Sequence, residues 1–156
     1  MRTKPKLSAK KFVPLIEIII AITFFAVTAT ILVQLFAKAH NNSRFAHDLN
    51  NATLYISECI ERIKTSDDYN TFLNELSLRG FEAGDDEGVY YIHLSDRFYH
   101  STEDNAYSTV IFTYSIKDNE AGRLITGNFI CTRNDGRELV SIDMATFLHK
   151  AINIES

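Results

Sequence analysis

Between Ile18 and Ala37 the chain runs for twenty residues without a charge, and its polar members are Thr23, Thr28, Thr30 and Gln34. As a helix that run spans roughly 30 Å, the thickness of a bilayer hydrocarbon core. The punctuation of the sequence reinforces it. Pro5 and Pro14 both precede the run, and all six glycines lie at or beyond position 80, so nothing between Leu15 and Arg79 breaks a helix. The chain therefore reads as a basic head, an apolar rod and a glycine-punctuated globular part.

Charge is distributed as unevenly. Residues 1–11 hold Arg2, Lys4, Lys6, Lys10 and Lys11 and no acid, whereas the remainder carries a net −9. The positive-inside rule places this leader in the cytoplasm and everything after Ala37 outside it. A cleaved secretory signal is the main competitor, and a buried soluble helix a further one. A signal's apolar region covers only about 7–15 residues and ends at a small-x-small site. Here the run is longer and passes directly into an amphipathic helix. The overall net charge of −4 argues against a general nucleic-acid binder, and two cysteines exclude a disulfide-dense scaffold or a four-cysteine zinc site.

Glu17 interrupts the apolar stretch between Ile16 and Ile18. A carboxylate at the centre of a membrane helix costs about 2.5–3.5 kcal/mol on insertion scales, and less near an interface. Two readings stand. Glu17 snorkels to the cytoplasmic interface beside Lys10 or Lys11, or it makes an intramembrane ion pair with another subunit.

The stretch Lys10-Lys11-Phe12-Val13-Pro14-Leu15-Ile16-Glu17-Ile18, continuing into the apolar run, resembles the N-terminus of type IV prepilins and type II secretion pseudopilins. Those bacterial proteins begin with a short basic leader, a small residue, an aromatic, Thr-Leu-Ile-Glu and about twenty apolar residues. The resemblance covers about residues 10–40. It implies cleavage between Phe12 and Val13 by a prepilin peptidase, which would make Val13 the mature first residue. It implies that Glu17 is the assembly glutamate, which neutralises the amino terminus of an adjoining subunit. The sequence departs from the pattern at two places: Phe12 stands where the family has glycine, and Val13-Pro14 replaces Phe-Thr.

Beyond the membrane segment, Phe45, Leu49, Ala52, Ile56, Cys59 and Ile63 recur at helical spacing and form one apolar stripe. Lys38, Arg44, Asp48, Glu58, Glu61 and Lys64 take other positions. The stripe packs on the chain's own sheet or, alternatively, in a coiled coil. Ser66-Asp67-Asp68 ends the rod and caps a second helix at about 69–78, with Leu73, Leu76 and Phe72 inward and Gly80 closing it. Asp85-Asp86-Glu87-Gly88 reads as a solvated acidic turn without the spacing of a calcium loop. Strands are predicted at 89–94, 109–117, 123–133 and 138–147. Val110, Phe112, Tyr114 and Ile116 share one face, Val140, Ile142 and Met144 another, and Asn134-Asp135-Gly136 forms a tight hairpin.

Catalytic patterns are sparse. The five histidines (40, 47, 93, 100 and 149) lack metal-site spacing, and no phosphate loop or nucleophile elbow occurs. Cys59 and Cys131 fall on a helix and a strand that should pack together, as two buried thiols or as a disulfide. The aromatics Tyr90, Tyr91, Phe98, Tyr99 and Tyr107 have only Arg97 nearby among acids, which suits core and rim better than a nucleic-acid stacking surface.

The expected architecture is α+β: a basic leader (1–12), a transmembrane helix (13–37) and an extracytoplasmic pilin-like domain (38–156). In that domain helix 38–65 and a short helix 68–79 pack on an antiparallel sheet of three or four strands within 89–147. The expected function is a minor pilin or pseudopilin-like structural subunit of a pilus or secretion filament, not an enzyme. Its partners would be other pilin-like subunits, the cytoplasmic membrane and a prepilin peptidase. No cofactor, nucleic acid or small-molecule substrate is predicted. The alternative is a single-span membrane protein whose external domain binds a partner unrelated to filaments.

Overall fold

A computed structural model describes residues 13–120 and 122–149. The leader, with Lys10, Lys11 and Phe12, lies outside them. The chain divides into two compact units between Phe45 and Ala46.

The first unit belongs to helix α1 (Val13–Lys64). Pro14 sits in its first turn, where a missing N–H breaks no intrahelical bond. Large apolar side chains face outward all around this unit, from Val13 through Phe24 and Phe25 to Phe36. A helix apolar on every side has no polar face to give to water.

The second unit begins with the remainder of α1, where Ala52, Ile56, Cys59, Ile60 and Ile63 are buried. This is the predicted stripe packed within its own unit, with Leu49 half-buried at its start. Helix α2 (Tyr69–Leu78) follows after a short turn. Asp68 caps it by accepting from the Thr71 amide at 2.8 Å. Its other end closes as a Schellman motif, with Phe81 N–H donating to Leu76 O and Gly80 N–H to Ser77 O. Phe72 and Leu76 are buried, while Leu73 is only half-buried.

The sheet is an antiparallel meander in the order β1 (Glu82–Ala83), β2 (Val89–Leu94), β3 (Ser108–Asn119), β4 (Gly122–Arg133) and β5 (Glu138–His149). It has five strands where three or four were expected. The extra one, β1, pairs Glu82 with Tyr91 and Ala83 with Tyr90. Two residues are too few to display an alternation in sequence.

Parity along β3 is as predicted, but burial fades along it: Val110 and Phe112 are fully buried, and Ile116, near the hairpin end, is 38% exposed. The β4–β5 hairpin turns at Asn134-Asp135-Gly136, where it was expected. Gly136 N–H donates to Arg133 O, and Gly136 alone in that turn has positive φ, at 80°. That is a type I turn followed by a left-handed glycine, the three-residue form. A register shift between Cys131 and Thr132 lets Leu139 slip inward beside the predicted face of β5.

At the centre, Phe112 and Phe129 stack across β3 and β4 with centroids 4.1 Å apart. Phe72 from α2 meets Phe112 edge-on, and Phe81 meets Phe129 likewise. All three of Phe72, Phe112 and Phe129 are fully buried. Burying each contributes about 1.5–3 kcal/mol from area alone.

Candidate functional site

The residues that the sequence singles out lie in both units. In the first, Val13 opens the described helix and Glu17 stands one turn later, exposed among Ile16, Ile18 and Ile20. The hydroxyls in this segment are internally satisfied. Thr23 donates to Ile19 O at 2.8 Å, Thr28 to Phe24 O at 3.0 Å and Thr30 to Ala26 O at 2.8 Å. Such back-bonding removes the desolvation cost of a hydroxyl in an apolar medium. The polar exceptions to the apolar run are therefore mostly neutralised by its own backbone. The segment is long and apolar enough to cross a membrane by length and composition.

In the second unit, one end of the sheet carries a polar knot absent from the sequence reading. Asp48, expected off the apolar stripe, is buried. Tyr107 Oη donates to its Oδ2 at 2.6 Å, and Arg133 Nη1 lies 3.5 Å from the same oxygen. Arg133 also pairs with Asp135 in the β4–β5 turn. Burial of Tyr107 and its hydrogen bond to Asp48 raise the phenol's pKa. The guanidinium holds the Asp135 carboxyl down at about 2. One acid on α1 thus ties together the start of β3, the end of β4 and the turn beyond. The tie joins residues 59 and 85 positions apart, so no local pattern announces it.

The two cysteines are buried free thiols. Burial pushes Cys59 up to about 11, against the opposing pull of Arg79, whose Nη1 lies 3.8 Å from the sulfur. Burial pushes Cys131 up to about 11 as well. Both remain protonated at neutral pH, and a thiol is a poor nucleophile and metal ligand. Glu58 accepts from Arg79 Nη2 at 2.7 Å, and that bond lowers the carboxyl's pKa.

The aromatic group divides as core and surface. Phe98 is buried, with φ at 60°, and Tyr99 beside it is 71% exposed. Tyr99, Tyr55, Arg79 and Leu78 help line a cleft of about 410 Å³. Tyr69 and Tyr114 share a hydroxyl–hydroxyl bond of 2.9 Å. Among the described residues no group of three His, Cys, Asp or Glu could hold a metal ion.

The described residues offer a charge-bearing apolar helix and a folded unit braced by buried polar ties. No family model, curated protein or solved structure matches the chain.

Proposed function

We propose that this chain is a pilin-like structural subunit. Its segment 13–37 crosses the cytoplasmic membrane, the leader lies inside, and the head faces outward. The observation that carries this reading is Leu15-Ile16-Glu17 immediately ahead of a twenty-residue uncharged helix and behind a leader of charge +5. An outward-facing apolar surface on every side suits lipid before assembly and other apolar helices after it. In such a bundle Glu17 sets register, because an unneutralised carboxylate there is expensive and a positive partner removes the expense. Self-bonded threonines support the same reading.

The chain's N-terminal residue, determined by intact-mass spectrometry on protein from native membranes, tests it. A terminus at Val13, especially N-methylated, is the expected result. A chain starting at Met1 leaves Glu17 without an amino-terminal partner and overturns the filament role. Phe12 in place of the family's glycine favours a second reading, a permanently anchored single-span protein with an external binding domain, and that outcome would select it.

A further inference from the structure

The two edges of the sheet are finished differently. At one edge β1 has two residues, and short edge strands are a common device against unwanted pairing. At the other, β5 runs twelve residues and is paired, among the described residues, with β4 alone. From Leu139 to Ala145 it contains no lysine, arginine or proline, the residues that usually blunt an edge. Inward-facing Val140 and Ile142 are only half-buried although they continue the core face of β4. The outward side presents Ser141, Asp143 and Ala145, all exposed. Asn128 donates to Asp143 at 2.6 Å, and no salt bridge reaches Asp143 among the described residues. Glu138 and Asp143 are the only charges on β5 before His149.

We infer that residues 139–145 of β5 accept an extended segment of another protein as a sixth strand. That segment is apolar at alternate positions, to cover Val140 and Ile142, and basic on the other face, opposite Asp143. Main-chain hydrogen bonds supply affinity in this mode, and the alternating side chains supply specificity. A second copy of this chain is the competing occupant, and antiparallel self-pairing centred on residue 143 disfavours it, because that register sets Asp143 against itself.

The test uses the full chain in detergent micelles and a capped nine-residue peptide alternating valine with lysine. The expected result is slowed amide exchange at residues 139–145. The protection disappears when the peptide's alternate amides are N-methylated. Asp143→Lys, or glutamate in place of the peptide's lysines, weakens binding about two- to fivefold. Protection elsewhere, or binding indifferent to N-methylation, overturns the inference. Exchange at 139–145 that slows with protein concentration alone also overturns it, assigning the edge to a second copy. None of these readouts depends on where the mature N-terminus lies, so failure here and failure of the filament reading are separable.

Discussion

Asp48 carries more of the head's cohesion than its place on α1 suggests. Removing the acceptor of a partly buried hydrogen bond leaves its donor unsatisfied, which costs about 1–3 kcal/mol. Asp48→Ala should cost that much by urea unfolding of the full chain, because the Tyr107 hydroxyl loses its acceptor while Arg133 keeps Asp135. In the double variant Asp48→Ala/Arg133→Met the loss should be clearly less than the sum of the two single losses. Additive losses would show that the groups act independently. Asp135 makes a related prediction about pH. Its pKa falls from an ordinary 3.8 to about 2 on folding, so its contribution is complete above pH 4–5 and disappears as pH falls through 2. Stability should drop across that window, and Asp135→Asn should flatten part of the drop. Gly127 is constrained by space. A Cβ there would lie 2.5 Å from Phe112 Cε2 and 2.9 Å from Thr113 O. Gly127→Ala should destabilise by about 1–3 kcal/mol through overpacking.

Among the elements, what the sequence made legible follows from pattern length. The stripe Ala52, Ile56, Cys59, Ile63 spans three turns, and a periodic signal of that length survives tertiary context. Strands β2 to β5 were bounded by glycine and polar turns and fall within a few residues of expectation. The two-residue β1 and the slip that buries Leu139 have no periodic signature. Asp48 was placed only off the apolar stripe, because an isolated acid on a helix gives no hint of a tyrosine 59 residues away. The apolar helix was legible from composition alone, and Glu17 was legible as an anomaly within it. In native membranes Glu17→Gln should leave insertion intact, or improve it, while reducing cross-linking between chains at residues 13–20. Undiminished cross-linking would remove Glu17 from assembly.

For the molecule as a whole, charge asymmetry makes the topological prediction. A membrane-impermeant amine reagent added to intact cells stripped of outer layers should label lysines of the head and spare those of the leader, because on the proposed topology the leader's five cations stay on the cytoplasmic side. Labelling of the leader in sealed cells would reverse the proposed orientation. Each sheet strand pairs with its neighbour in sequence, so the sheet grows by successive hairpins, with the longest closure between Leu94 and Ser108.

The same meander sets a timetable during synthesis. Residues 46–64 emerge well before strands β3, β4 and β5, whose Phe112, Phe129 and Met144 complete the core. Until β4 is made, Ile56, Cys59 and Ile63 have only part of their eventual cover, and the chain at that stage presents a sticky helical stretch after its long apolar run. Nascent chains halted at Asn134 should therefore be held by chaperones and remain protease-sensitive, whereas chains extended past His149 should become resistant in one step. The last strand to leave the ribosome thus closes the head, and truncation from the C-terminus should be far less tolerated than removal of an equal length of leader.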